Sequence, residues 1–357
     1  MPKELNFRML ILAREARGFT QGDLVEKIPN LSQGNYSRME KGLLGVPEDT
    51  VNNIASVLDF PESFFYKKGT SANNVEYFYR KRVSTPKKEL NKLEANFDLI
   101  RLWFEDLLNE VEIGEFNFQE LKVEGSNTPE IIARKIKVAL NISNGPILHL
   151  IGILEKNGVI VHFLQNAPEK FDGTTIICKS GQKIIVVNSE IPNDRKRFTI
   201  AHELGHCIMH IPFSSDLDPY SDIELEANQF ASEFLMPALE IKHDLVALKY
   251  KNLADLKSYW RVSKVALIKR AHTLGLINQS RYTTFMIEIS RAGERKVENQ
   301  DVDLDEPRIL SLILKALMEQ LDYSKEYISD MLGMSLSDYG TFFYGTTKQK
   351  TKLRISL

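Results

Sequence analysis

Two cysteines, Cys178 and Cys207, in 357 residues leave no material for a disulfide framework, which argues against a small stapled secreted scaffold and for a reducing compartment. No uninterrupted apolar run approaches the roughly 20 residues that span a bilayer, and the opening Met1-Pro-Lys-Glu lacks the apolar core of a secretory signal. The expectation is a soluble, cytoplasmic protein with no membrane partner. An excess of one charge is missing too. Forty-six basic and 48 acidic residues leave a formal net charge of −2, so any affinity for nucleic acid must come from a local surface. Internal repeats and low-complexity stretches are also absent, which excludes solenoid arrays and compositionally disordered chains. A hydrophobic content of 43% with 26% charged residues is that of a folded globular chain, long enough for two or three domains.

Residues 1 to about 66 read as short helices divided by turn signals. Leu5, Met9, Leu10 and Leu12 mark a first helix, ended near Gly18. Thr20 caps a second from Gln21 to Ile28, Ser32 caps a third from Gln33 to about Lys41, and Pro47 opens a fourth. Residues 67–90 hold seven basic residues against two acidic ones, a basic linker, and residues 87–112 place apolar side chains at helical spacing. Beyond about 130 the pattern is mixed. It predicts a helix over about 146–156, a strand Val159–Leu164, and a hairpin of Thr174–Cys178 with Lys183–Val187. Helices from Asp194 to about His210 and from Asp222 to Leu235 follow, and after 245 the chain reads as mostly helical with an acidic break from Glu298 to Glu306.

The sharpest chemistry lies in His202-Glu203-Leu-Gly-His206. Four helical residues turn about 400°, so His202 and His206 lie about 40° apart on one face and can share one ion. Glu203 is turned away by about 100°, placed to act on water as general base without being a ligand. This is the mechanical content of HExxH, two imidazoles on Zn2+ and a carboxylate base. A catalytic zinc usually takes a third protein ligand, expected from the next helix, where Glu224, Glu226 and Glu233 are candidates. The apolar face of that helix (Ala227, Phe230, Ala231, Phe234) has Glu226 at one edge and Glu224 at the other, so helical geometry leaves the choice open; Glu233 is read as a residue that orients a ligand. His210 extends the face of His206, but three ligands over two turns of straight helix span about 12 Å, so it is read as supporting or structural. Cys207, about 100° from His206, reads as a buried thiol. The strand Lys183–Val187 is expected to offer an edge for an extended substrate.

Phe198-Thr-Ile-Ala-His-Glu-Leu-Gly-His206, His210 and Glu224-Leu-Glu-Ala-Asn-Gln-Phe-Ala-Ser-Glu-Phe-Leu-Met-Pro237, with Phe171-Asp-Gly173 and Val187-Asn-Ser189 ahead of them, resemble the ImmA/IrrE family of metallopeptidases. The resemblance covers about residues 145–240. It implies a zinc-dependent peptidase whose third ligand is the Glu of the Glu-Ala-Asn triplet, here Glu226.

Thr20 through Gly42 resembles the XRE, or phage-repressor, helix-turn-helix, which implies double-stranded DNA as partner and a dimer as the acting form. Gln21 begins the first motif helix, where it can meet a phosphate. Gln33, Gly34, Asn35, Ser37 and Arg38 fall on the outer face of the recognition helix, Gln and Asn suiting adenine edges and Arg suiting guanine or phosphate. Pro29-Asn30 adds one residue to the motif turn. Residues 1–66 carry seven basic against nine acidic residues, so the basic linker is expected to supply phosphate contacts.

XRE modules followed by an ImmA/IrrE peptidase, with a segment like Phe78-Tyr-Arg-Lys-Arg-Val83 between them, form a recognisable pair, which implies a repressor-like protein as substrate. Trp260 to Leu276 resembles the segment that follows the peptidase core in such fusions, and Asp322 to Ser335 is faintly similar to a second helix-turn-helix. The fold expected is α+β: an all-α helix-turn-helix domain at 1–66, a basic linker and long helix at 67–130, a zincin-like peptidase domain of small sheet plus HExxH helix at 131–245, and a helical region at 246–357. The rival reading is an XRE regulator whose zincin domain senses a metal or a partner and cleaves little.

Overall fold

The computed structural model describes residues 4–68, 86–217 and 221–345. Most of the basic linker, including Phe78 to Val83, lies outside the described residues. In chain order the helices are α1 Phe7–Ala16, α2 Gln21–Val25, α3 Gln33–Glu40, α4 Glu48–Leu58, α5 Lys87–Glu110, α6 Pro129–Ala139 and α7 Leu150–Lys156. Strands β1 Val159–Leu164, β2 Gly173–Ile177 and β3 Lys183–Asn188 follow. Then come α8 Asn193–Met209, α9 Ile223–Leu235, α10 Ala238–Leu245, α11 Leu253–Trp260, α12 Lys264–Thr273, α13 Gln279–Arg291, α14 Ile309–Glu319, α15 Lys325–Leu332 and α16 Leu336–Tyr344. No helix among the described residues is long and apolar enough to cross a membrane.

The described residues fall into two compact units, one drawn from 1–113, 176–181 and 309–357, the other from 114–175 and 182–308. In the first, α1, α2 and α3 each start on a side-chain cap that satisfies a backbone N–H left over at a helix start. Asn6 accepts from the Arg8 amide, Thr20 and Asp23 form a reciprocal capping box, and Ser32 accepts from Asn35. The extra residue of the motif turn is taken up at Asn30, which adopts a left-handed backbone with φ of 61°, a conformation Asn tolerates better than most residues. Helix α5, expected to belong with the linker, packs on α1.

Residues 309–345 also belong to this first unit. Arg17 donates to Asp338 at 3.0 and 2.6 Å, the Ser63 hydroxyl donates to Asp330 at 2.7 Å, and the Phe342 ring meets Trp103 and Phe104 edge-on. The region expected as one helical piece over 246–357 is therefore divided at about residue 308.

The second unit is built on a three-stranded sheet of order β1-β3-β2. β1 and β3 run parallel, in register from Val159 against Lys183 to Leu164 against Asn188. The connection from β2 to β3 spans residues 178–182, too short for a crossover, so that pair is antiparallel. β3 is the central strand and all six of its residues are buried, which suits its apolar run Ile184–Val187. It offers no edge, and the expectation that Lys183–Val187 would accept an extended substrate is corrected: β1 and β2 are the outer strands. Helix α8 packs against β3, and α9 against α8. Their interface is centred on Leu204, Phe230 and Phe234, all at most 1% exposed, and each aromatic contributes roughly 1.5–3 kcal/mol by leaving water. A Cβ on Gly205 would stand 3.1 Å from the Phe230 ring, so the small residue inside the HExxH motif lets the two helices close on each other. The acidic break is a set of helix caps. Glu298 accepts from the Lys264 and Val265 amides at the start of α12, and Asp305 from Ile151 and Gly152 at the start of α7, where the helix dipole favours negative charge.

Candidate metal centre

His202 and His206 stand one turn apart on α8, 7% and 1% exposed, with ring centroids 4.8 Å apart. Their Nε2 atoms converge to 3.1 Å. From the first turn of α9, Glu224 brings Oε2 to 3.6 Å from His202 Nε2 and Oε1 to 3.4 Å from His206 Nε2. These three side chains are the group of His, Cys, Asp or Glu residues among the described residues that can hold a metal ion. Two ligand atoms each about 2.1 Å from a tetrahedral zinc stand about 3.4 Å apart, so the spacings fit that ion, and the nitrogen and oxygen donors are ones zinc accepts.

The resemblance implied Glu226 as third ligand, and the structure places that residue elsewhere. Glu226 lies about 200° from Glu224 around α9, and its Oε2 is 2.9 Å from His210 Nε2. His210 is the C-cap of α8, one turn beyond His206 with its amide still bonded to the His206 carbonyl. Its Nδ1 turns back to within 2.8 Å of His206 Nδ1. Burial, and then the adjacent His206 and His202 rings, push the His210 pKa down to about 3, so this imidazole is neutral. Burial and the nearby Asp222 push the Glu226 carboxyl up. Glu233, expected to orient a ligand, lies two turns further along α9. It is 2% exposed and is held by the Arg270 guanidinium and the Ala238 amide, so it fastens α9 to α12 and takes no part in the centre.

Glu203 is 7% exposed and accepts a hydrogen bond from the Thr175 hydroxyl of β2 at 2.8 Å. Sequence reasoning did not find Thr175; its only signal was a pair of threonines, Thr174 and Thr175, in the strand two elements ahead of the motif helix. Asn228 was missed as well. Its Oδ1 lies 3.1 Å from His202 Nδ1, and it sits four residues past Glu224, on the same face of α9. Cys207 is fully buried, its thiol pushed up to about 12 by desolvation, as expected of a protonated core residue and not of a ligand.

In the first unit, Gln33, Gly34, Asn35 and Arg38 are exposed on α3, and Ser37 is half-buried beside them. Gln21 is placed differently from the phosphate contact expected of it. Its amide donates to Glu40 at 2.7 Å, and Glu40 also accepts from Arg14 at 2.7 Å, so Gln21 joins a largely buried polar cluster.

Comparison with known proteins points to the same segment of the chain. Residues 154–272 match the Peptidase_M78 family, described as the IrrE N-terminal-like domain. The chain is also 38% identical over 76 residues to "Uncharacterized immunity region protein 2" of Bacillus phage phi105, a match that covers 20% of this chain and 44% of that protein, so the chain spans less than half of that relative's length. The matched family segment runs from the end of α7 through the HExxH helix and α9 to α12, beyond the boundary expected at 245. A Peptidase_M78 domain, of a zinc-dependent protease family, thus occupies residues 154–272 of this chain.

Proposed function

We propose that this chain is a zinc-dependent endopeptidase joined to a DNA-reading domain, and that it regulates genes by cutting a repressor-like protein. The observation that carries the reading is the convergence of His202, His206 and Glu224 beside the buried carboxylate of Glu203. The triad would hold the ion, with Glu224 as third ligand in place of Glu226. Zinc, when bound, acts as a Lewis acid that makes water nucleophilic at neutral pH and polarises a carbonyl. Glu203 accepts the proton of the attacking water and delivers it to the departing amine. The Thr175 hydroxyl, fixed on β2, holds one oxygen of the Glu203 carboxylate and so orients the group for that transfer. β2, as an outer strand, is the element along which an extended peptide would lie.

The DNA reading rests on the helix-turn-helix pattern and on the exposed Gln33, Asn35 and Arg38 of α3. A Peptidase_M78 domain beside such a module, together with the likeness to a phage immunity-region protein, supports a repressor as substrate. The test incubates the zinc-loaded protein with the repressor encoded beside its gene. Defined fragments that are missing with Glu203→Gln support the reading. An intact repressor, with zinc and DNA both present, favours a sensor that binds metal without proteolysis.

A further inference from the structure

Two imidazoles that both present Nε2 to one metal ion must carry their ring protons on Nδ1, and each of those protons needs an acceptor. For His202 the acceptor is Asn228 Oδ1, 3.1 Å away. For His206 the ring proton on Nδ1 faces another nitrogen, Nδ1 of His210, at 2.8 Å. A nitrogen that accepts a proton is itself bare, so His210 must keep its own proton on Nε2. That Nε2 faces Glu226 Oε2 at 2.9 Å, an acceptor. The contacts therefore admit one consistent direction: His206 Nδ1–H donates to His210 Nδ1, and His210 Nε2–H donates to Glu226. Reversing the first link would put the His206 proton on the nitrogen that faces the metal. His206 and His210 are each 1% exposed, so bulk water does not substitute for either partner.

We propose that His210 and Glu226 form a relay that locks His206 in its Nδ1-protonated form with Nε2 turned to the metal, which makes both positioning residues and neither a ligand. The proposal rests on the reading of His202, His206 and Glu224 as the metal triad. Partners of this kind raise the basicity of a ligand imidazole and fix its ring, and losing one typically weakens metal binding about 10- to 100-fold. The relay also gives the two acidic residues of Glu224-Leu-Glu226 separate tasks, since opposite edges of one helix face serve the ion and the ion's ligand.

The test measures zinc affinity of the full-length chain by competition with a chelator. His210→Phe, which has no acceptor, is expected to bind zinc about 10- to 100-fold more weakly. His210→Gln, whose amide oxygen can accept from His206, is expected to recover most of that loss. Glu226→Gln keeps an acceptor and should stay close to wild type, whereas Glu224→Gln removes a ligand and should lose more than any of these. Nitrogen NMR of the zinc-loaded wild-type protein needs no variant, and His206 should show a protonated Nδ1 and His210 a protonated Nε2. Wild-type affinity in His210→Phe, or a protonated Nδ1 on His210, overturns the relay and leaves the triad standing. A loss in Glu226→Gln as large as in Glu224→Gln makes Glu226 a ligand and overturns it as well. If the wild-type chain holds no zinc, triad and relay fall together.

Discussion

Two helix pairs carry the candidate functional residues of this molecule, and they are built in opposite ways. In α8 and α9 the two ligand imidazoles and the Glu203 carboxylate are buried, and each of these three has an assigned partner: Asn228 for His202, His210 for His206, Thr175 for Glu203. Around α2 and α3 the polar groups that face inward, Gln21 and Glu40 together with Arg14 of α1, bind one another, and the residues suited to reading bases stand exposed on α3. A metal centre needs its donor atoms within a few tenths of an ångström of the right place, so the fold fixes them before any ligand arrives. A DNA-reading helix needs only a rigid platform, and its outer side chains settle against the partner. Mutations should therefore separate into losses of chemistry, losses of platform, and losses of recognition that leave stability untouched.

The largest effect is expected at Glu203. Glu203→Gln keeps the shape and the Thr175 contact but removes the proton acceptor, and should slow repressor cleavage by about 10²- to 10⁴-fold while zinc content, read by elemental analysis, stays at wild-type level. Cleavage within a factor of two of wild type would show that another group acts as base. Second comes the platform of the first unit. Glu40→Ala strips the buried Arg14 guanidinium of its closer carboxylate, leaving Glu15 at 3.4 Å, and breaking such a pair costs about 3 kcal/mol or more. The urea midpoint of the first unit should drop accordingly, with zinc affinity of the second unit unchanged. A paired Arg14→Met, Glu40→Leu variant should recover much of the loss, because it removes the stranded charge along with its partner.

The sequence made the metal centre legible in proportion to how local its geometry is. His202, Glu203 and His206 share one turn of helix, so their spacing alone predicts their arrangement. The caps at Thr20 and Ser32 were legible for the same reason, and the helices they open begin where expected. The choice between Glu224 and Glu226 was not local. Both flank the same apolar face of α9, and what separates them is the partner each meets on α8: the His202 and His206 imidazoles for Glu224, His210 for Glu226. Thr175 joins Glu203 across the space between a strand and a helix, a contact that no single periodicity encodes. The division of the C-terminal region was hidden for a related reason: α14 to α16 are amphipathic like any surface helix, and nothing in their own residues names Arg17 or Trp103 as the partners of Asp338 and Phe342.

A smaller effect should appear with pH in the second unit. His162 lies on β1, and burial pushes its pKa down to about 4 from an ordinary 6.5. The unfolded chain then binds this proton more readily than the folded one, so the stability it permits is full above about pH 6.5 and declines as the pH falls toward 4. Between pH 7 and pH 5 the loss attributable to this group is about 2 kcal/mol. Other groups titrate in the same range, so the quantity to measure is the difference in urea midpoint shift between wild type and His162→Met. Equal shifts in the two proteins would remove His162 as the cause.

The smallest effect on stability, and the one that bears most directly on the contrast between the two helix pairs, is expected at Arg38. It is exposed at the last turn of α3, and Arg38→Ala should leave the unfolding midpoint within about 0.5 kcal/mol of wild type. Its binding to operator DNA should nonetheless weaken. If Arg38 reads a base edge, the loss is about 1–3 kcal/mol and is concentrated at one position of the site. If it meets a phosphate, affinity falls evenly across sequences and the salt dependence of binding loses about one unit of slope. Gel shifts on an operator and on a scrambled duplex, repeated at several salt concentrations, tell the two roles apart. A platform built without buried chemistry should allow either loss while the domain stays folded, whereas unfolding by Arg38→Ala would mean that α3 depends on its exposed face as the metal centre depends on its buried one.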